Sequence, residues 1–294
     1  MVKDKIVKIA THNGRFHSDE VFAIAILKKF YSNIEIIRTR DKKLLSQADI
    51  RVDVGGRYDS KTGDFDHHQK DFDKTQKSGI PYSSSGLIWK HFGRKLVNSN
   101  EAYEKIRKEL MEFLDAQDTG VNYSNDRVQI YSIGDVVDSF NPTWKDKEKE
   151  NQQFVKALDY ILTILENELK RANDYTEGVE ITRKAIKENI IKEFIILEKE
   201  GLPTDPIIDE TNLLYIVSPV SDGNWGSLAV IKKKGLFDNR KNFPKKWGGL
   251  TNDELERISG VKGAIFCHKN LFCCVTKTKE SAIELTKKAI DIEK

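Results

Sequence analysis

The run Asp64-Phe65-Asp66-His67-His68-Gln69 sets an aspartate directly before two histidines, a combination that suits neither an apolar core nor a plain surface loop. Carboxylate oxygen and neutral imidazole nitrogen are the ligand atoms that Mn²⁺, Zn²⁺ or Fe²⁺ accept at neutral pH. One such triplet alone fits a polar turn better. Three further clusters shift the balance: Thr11-His12-Asn13-Gly14-Arg15-Phe16-His17-Ser18-Asp19-Glu20, Val52-Asp53-Val54-Gly55-Gly56-Arg57-Tyr58-Asp59 and Leu114-Asp115-Ala116-Gln117-Asp118-Thr119-Gly120. Each sets ligand-type side chains beside apolar or glycine-rich chain. Two divalent ions about 3.5–4 Å apart can acidify one water and clamp a phosphoryl group during in-line displacement. Such a site needs a bridging carboxylate, ligands on both sides and a proton donor, and His12, His17, Asp19, Asp53, Asp66, His67, His68 and Asp118 are candidates in the right numbers.

The surrounding chain must bring these residues together. Ile6–Ala10 reads as a buried strand, and Ser18 can cap a largely apolar helix running to Tyr31. Ile34–Arg38 reads as a second strand, Lys42–Ala48 as a short helical turn, and Ile50–Val54 as a third strand ended by Gly55-Gly56. This βαβαβ order predicts a parallel sheet with right-handed crossovers, in which ligands gather beyond the carboxyl ends of the strands. His12 and Asp53 fall at such ends. Phe72–Tyr82 suits a loop, and Ser83-Ser84-Ser85 is expected to cap the helix Leu87–Phe92, its hydroxyls satisfying the free amides. His91 lies near the end of that helix and receives no role. Glu101–Ala116 predicts an amphipathic helix that delivers Asp115 and Asp118 at its carboxyl end.

Asp146–Glu200 carries two long helical runs, the second including Phe194 and Ile195. Gly201-Leu202-Pro203-Thr204-Asp205-Pro206 marks a boundary. Beyond it Leu213–Val217, Ser227–Ile231, Gly263–Cys267 and Leu271–Val275 are strand-like, and Lys279–Glu293 is a closing helix. The expected fold class is α/β: a parallel-sheet domain over 1–144, a helical connector over 145–200 and a smaller α/β domain over 201–294.

With 38% hydrophobic and 32% charged residues and a formal net charge of +3, the chain describes a soluble globular protein whose overall charge neither demands nor excludes a polyanionic partner. Cys267, Cys273 and Cys274 form no disulfide framework or CxxC pair and are expected to be small apolar fillers in a reducing compartment. No apolar stretch of roughly 18 residues exists to span a bilayer. Met1–Lys8 leads straight into the first motif, so no secretion or transit signal is expected. The expected location is the cytoplasm, with the nucleus added for a eukaryotic source.

In its order of motifs the chain resembles the DHH phosphoesterase superfamily, and within it most closely the melanocyte-proliferating-gene (Myg) family of metal-dependent 3′–5′ exonuclease-like hydrolases. The matching residues are His12-Asn13-Gly14 with His17 and Asp19-Glu20, Arg38-Thr39-Arg40-Asp41, Asp53-Val54-Gly55-Gly56, Asp66-His67-His68-Gln69, Ser84-Ser85-Gly86, Asp115-Ala116 with Asp118, and Asn141-Pro142-Thr143-Trp144. The resemblance implies a DHH-type catalytic domain with His12, His17 and Asp53 around one ion. Asp19, Asp53, His67 and Asp118 would surround the other, with Asp53 bridging. His68 would lie near the leaving oxygen as general acid or phosphate contact, and Asp66 would act as a ligand or orient a histidine. The place of His17 is usually aspartate in the wider superfamily, so nitrogen replaces oxygen and metal preference moves away from Mg²⁺. Two Mn²⁺ ions are the expected cofactor, with Mg²⁺ or another divalent cation as the alternative.

The second domain would bring substrate to the metals. Arg240, Lys241, Lys245 and Lys246, interleaved with Phe237, Phe243 and Trp247, form a basic patch with aromatics of the kind that grips a single strand and stacks bases. A solvated lysine-rich loop explains the composition equally well. The resemblance also breaks down in places: Gly226 and Gly248 stand where arginine commonly follows Trp225 and Trp247, and His268–Cys274 replaces a glycine-rich turn. The leading expectation is a metal-dependent phosphodiesterase on RNA or single-stranded nucleic acid, acting from the 3′ end through a metal-activated water. There would be no membrane partner, and a homodimer is allowed. The alternatives are a hydrolase of a small phosphoester such as a dinucleotide or pyrophosphate, and a catalytically weak nucleic-acid-binding protein.

Overall fold

A computed structural model describes residues 6–121, 130–146, 149–235 and 238–292; Phe237, a member of the expected aromatic patch, lies outside them. The chain divides into two compact units, Met1–Asp174 and Tyr175–Lys294. Each has its own five-stranded sheet. Among the described residues no helix is long and apolar enough to cross a membrane.

In the first unit β1 (Val7–Thr11) lies between β2 (Ile34–Arg38) and β3 (Ile50–Val52), parallel to both. The hairpin β4 (Tyr58–Asp59) and β5 (Asp64–Phe65) extends the sheet, with β5 parallel to β3, giving the order β2-β1-β3-β5-β4. Gly63 makes the hairpin possible: its φ is +76°, and a β-carbon there would come within 2.3 Å of the Asp49 carbonyl oxygen. Helix α1 (Ser18–Phe30) is buried from Ser18 through Leu27, as its nearly all-round apolar sequence requires. After the short α2 (Lys42–Leu45), it packs with α3 (Ser84–Phe92), α4 (Asn100–Ile106) and α5 (Glu112–Asp118). Arg107–Met111, a π-helical turn, joins α4 to α5. Helix α6 (Ile133–Asp138) follows, and Phe154, Leu158, Ile161 and Leu165 of α7 (Glu150–Glu188) complete the same core.

Only one long helix forms where two helical runs were expected. Asn189 ends it by donating from Nδ2 to the carbonyls of Ile191 (2.8 Å) and Phe194 (3.2 Å). Phe194-Ile195-Ile196 then becomes β6 (Phe194–Ile196), parallel to β7 (Tyr215–Pro219). A run of three bulky apolar residues, two of them β-branched, gains more by burial on both faces of a sheet than by extending a helix. The second unit adds α8 (Asp205–Glu210), β8 (Trp225–Ala229), α9 (Asn252–Ser259), β9 (Ala264–Cys267), β10 (Cys273–Thr276) and α10 (Lys279–Asp291), in sheet order β6-β7-β8-β10-β9. All of its pairings except β6–β7 are antiparallel. The model is therefore mixed α/β in both units.

Candidate metal centre

The carboxyl ends of the parallel strands deliver the clusters to one edge of the first sheet. His12 follows β1, Asp53 follows β3, and Asp66, His67 and His68 follow β5. His17 precedes α1, whose first turn carries Asp19 and Glu20, and Asp118 is the last residue of α5. Asp53 holds φ +55°, a left-handed conformation that aspartate tolerates better than most residues. This turn sends its carboxylate, 5% exposed, into the middle of the group.

Both Asp53 oxygens face imidazoles. Oδ2 lies 3.3 Å from His12 Nε2; Oδ1 lies 3.3 Å from His68 Nδ1 and 3.6 Å from His67 Nδ1, and accepts from Ser84 Oγ at 3.1 Å. His12 Nε2 is also 3.0 Å from Glu20 Oε1, and His67 Nε2 is 3.1 Å from Asp118 Oδ2. Three overlapping sets offer ligand atoms mutually within 4.8 Å: His12, His17, Glu20 and Asp53; Asp53, Asp66, His67 and His68; and His17, Asp19 and Asp118. Asp53 joins the first two sets and His17 the first and third, with the His67–Asp118 contact closing the ring. Every sequence-predicted residue from His12 to Asp118 is thus in one place, although the grouping differs from the expected one. Asp19 shares a set with His17 and Asp118, while Asp53 and His67 fall with His68.

The electrostatics of the ring require positive charge. Asp19 is 0% exposed, and neither of its oxygens has a hydrogen-bond partner. An ionised carboxylate buried without donors is strongly unfavourable unless a cation is bound. Burial, together with the Asp53, Asp118 and Glu20 carboxylates, pushes its pKa well up. Burial pulls His12 down, but its bonds to Asp53 and Glu20 prevail and raise it to about 10. His68, 62% exposed at the side chain, is raised to about 10 by Asp53 and Asp66. Burial opposes ionisation of Asp53, yet His12 and His68 hold its pKa well below the usual carboxylate range. Asp66 accepts His68 Nδ1 at 2.9 Å and the His68 N–H at 3.0 Å through Oδ1, and the Gly56 N–H at 2.6 Å through Oδ2. Its hydrogen bonds orient His68.

Three contributors named in the sequence motifs were given no site role there. Glu20 accepts the His17 N–H at 2.8 and 3.0 Å while facing His12; its adjacency to Asp19 and its spacing of three from His17 were the available clues. Ser84 reaches Asp53. Asp115, in turn, supplies the cap expected from the serines. Ser83 forms no side-chain cap; instead Asp115 Oδ1 accepts the Ser83 N–H (3.0 Å), the Gly86 N–H (3.1 Å) and Ser83 Oγ (2.7 Å). Gln76 Nε2 donates to Oδ2 at 2.7 Å. Burial raises Asp115 to about 6 against these bonds.

The loop between β1 and α1 is pinned from outside the site. Asn141 clamps Phe16, accepting its N–H at 2.9 Å and donating to its carbonyl at 2.8 Å. Glu150 accepts the Gly14 N–H at 2.6 Å and pairs with Arg38 at 3.1 Å, while Arg38 donates to the Gly14 carbonyl.

The expected substrate patch in the second unit is corrected in part. Trp247 is 0% exposed and Phe243 1%, both in the core, so neither ring is free to stack on a base. Arg240 donates to the carbonyls of Leu213 and Ile208, and Lys241 to that of Ile290. These cations hold the fold, and Lys245 and Lys246 remain exposed. At Gly248 a β-carbon would lie 2.8 Å from the Leu271 side chain, and at Gly226 2.8 Å from that of Val220.

Fold and site together define a mixed α/β protein whose parallel strands converge on a candidate divalent-metal centre. The model of one family, described as "Uncharacterised protein family (UPF0160)" and labelled as that of MYG1 exonuclease, matches residues 8–290. The mouse "MYG1 exonuclease" is 30% identical over 95% of this chain and 84% of its own length. The Schizosaccharomyces pombe "MYG1 protein C694.04c" is 31% identical over 98% of both chains, and the Chlamydia muridarum "MYG1 protein" 30% identical over 94% of both. No solved structure matches. The chain belongs to the MYG1 family (UPF0160).

Proposed function

We propose that this protein is a divalent-metal-dependent phosphodiesterase of DHH type that shortens RNA or another single-stranded nucleic acid from its 3′ end. One observation carries the reading: a fully buried aspartate, Asp19, with no donor for either oxygen, set in a ring of carboxylates and imidazoles. The name exonuclease borne by the mouse and human relatives supports nuclease chemistry. Divalent ions held by His12, His17, Asp19, Glu20, Asp53, His67 and Asp118 would supply Lewis acidity toward water and phosphoryl oxygen. The three imidazoles in this donor set favour Mn²⁺ over Mg²⁺. Asp53 is fixed by Ser84 and by its own backbone turn. His68, hydrogen-bonded to Asp66 and open to solvent, is placed to donate a proton to a leaving oxygen.

A second reading, hydrolysis of a small phosphoester, is favoured by the burial of Trp247 and the structural bonds of Arg240 and Lys241. The deciding experiment incubates metal-stripped protein with Mn²⁺, Mg²⁺ or EDTA against end-labelled RNA, DNA, a dinucleotide and pyrophosphate. Mn²⁺-dependent laddering of RNA from the 3′ end is expected. Cleavage of the dinucleotide or pyrophosphate alone would select the second reading, and turnover undiminished in EDTA would refute both.

A further inference from the structure

The cavity that opens on the candidate centre has a second wall that the proposed chemistry leaves unused. It has a volume of about 830 Å³, within the range of small-molecule and cofactor sites. His12, His17, Asp53 and His68 line it on the side of the ring, and Arg40, Lys42 and Arg57 also line it, beside the Gly55-Gly56 turn.

The charges on this wall are poorly compensated. Among the described residues the Arg40 side chain donates only to the carbonyl and side-chain oxygens of Asn13, the Lys42 ammonium has no partner, and neither forms an ion pair. Arg57, 59% exposed at the side chain, pairs with Asp59 at 2.6 Å and lies 3.8 Å from Asp64. Arg51 shows what a structural arginine looks like here: it is occupied by Asp64 and by the carbonyls of Leu45, Ala48 and Thr62. Gly55 and Gly56, which also line the cavity, hold φ of +105° and +64° with open space where a β-carbon would stand, so a ligand can approach the backbone there.

Resting on the phosphodiesterase reading, we infer that Arg40, Lys42 and Arg57 form an anion subsite for a second phosphate of the substrate, one nucleotide away from the bond that is broken. Exposed cations facing a cavity gain most from a dianionic or diester phosphate when, like Arg40 and Lys42, they have no ion pair among the described residues, or when, like the exposed Arg57, their pair is open to solvent; arginine forks suit the phosphate oxygens. The subsite lies wholly in the first unit and sets a preference for substrates with at least two phosphates.

Four RNA probes test this: a dinucleotide without terminal phosphate, the same dinucleotide with a 5′-phosphate, and trinucleotides with and without a 5′-phosphate. In the wild type, KM should fall at least about tenfold from the bare dinucleotide to a probe with a second phosphate. That ratio should collapse toward one in Arg57→Gln, Lys42→Gln and Arg40→Gln. A gain from the 5′-phosphate on the dinucleotide identifies a terminal monoester as the ligand; a gain only in the trinucleotides identifies an internal diester. Equal loss on every probe in all three variants would assign these residues to loop support and overturn the inference, as would a wild type blind to the second phosphate. Arg40 also bonds to Asn13, so Arg57→Gln and Lys42→Gln carry the test if Arg40→Gln misfolds. Calorimetric binding of the same probes in EDTA at low salt reads the subsite without turnover. Phosphate-dependent binding that the variants lose, in a protein inactive with every metal, would uphold the subsite while refuting the phosphodiesterase.

Discussion

Replacing Asp19 with asparagine should move stability in opposite directions with and without metal. Asp19 and Asp118 offer oxygens within 4.8 Å of one another. At that separation two unit charges repel by about 3 kcal/mol for an effective dielectric near 20. Uptake of a proton by Asp19 relieves part of this, so neutralising it in metal-free protein should stabilise by about 1–3 kcal/mol. The asparagine amide can also donate to the facing carboxylates. For a chain of this size the gain corresponds to an increase in melting temperature of roughly 2–10 °C. With metal the sign reverses: an ion at about a hundred times its Kd stabilises the wild type by roughly 2.7 kcal/mol, and weaker binding by the variant removes most of that. Differential scanning calorimetry in EDTA and in MnCl₂ reads both arms. The reasoning fails if Asp19→Asn lowers the melting temperature equally in the two conditions, for Asp19 would then be an ordinary structural carboxylate.

Further outcomes follow from the same geometry. Gly86→Ala would place a β-carbon 2.1 Å from Asp115 Oδ2 inside a packed core and should destabilise by about 2–4 kcal/mol in urea unfolding; a near-neutral result would mean the α3–α5 contact is pliable. In metal-free protein the His68 imidazole should titrate near pH 10. Its folded pKa is raised, so its contribution to stability is complete below pH about 6.5 and is lost as pH rises toward 10. Asp66→Asn removes one of the two carboxylates responsible and should shift the His68 titration, followed by NMR of the ring carbons, toward 6.5; an unmoved titration would contradict the assignment. Asn141→Ala removes both bonds to Phe16 and should cost about 1–3 kcal/mol and raise the metal Kd without touching a ligand. An unchanged affinity by isothermal titration would show that the loop is held without Asn141.

How much of this was legible in the sequence depends on the range of the interaction that decides each feature. β2 appears with its expected bounds and α1 within one residue, because hydrophobic period and strand length are local properties. His12, Asp53, Asp66 and His67 were readable for a related reason: in a parallel sheet the residue after a strand is at the ligand-binding edge whatever the rest of the fold does. Features decided by partners about twenty or more residues away were not legible. Ser83 looks like a helix cap, but Asp115, 32 residues on, takes over the task through an acceptor the serines cannot match. Phe194-Ile195 carries a helical period, but pairing with Tyr215-Ile216 decides it as strand. Trp247 has the composition of a base-stacking residue, and only the collapse of the second sheet around it shows that it is buried.

Gly226 and Gly248, where the resemblance leads one to expect arginine, are closely packed. Gly248 is hemmed in by the Leu271 side chain and the Lys269 carbonyl, both within the altered His268–Cys274 segment. An arginine at 248 could not be restored without moving Leu271, so the two departures form one local packing solution. A cation at 248 is therefore unavailable, while Arg240 and Lys241 are tied to backbone carbonyls. Among the described residues, the exposed arginines and lysines that line the cavity on the candidate centre are Arg40, Lys42 and Arg57, all of the first unit. Substrate preference should follow that wall: charge-reversing Arg57→Glu should weaken phosphate-rich substrates more than Lys246→Glu does, and the opposite ranking would return substrate capture to the second unit.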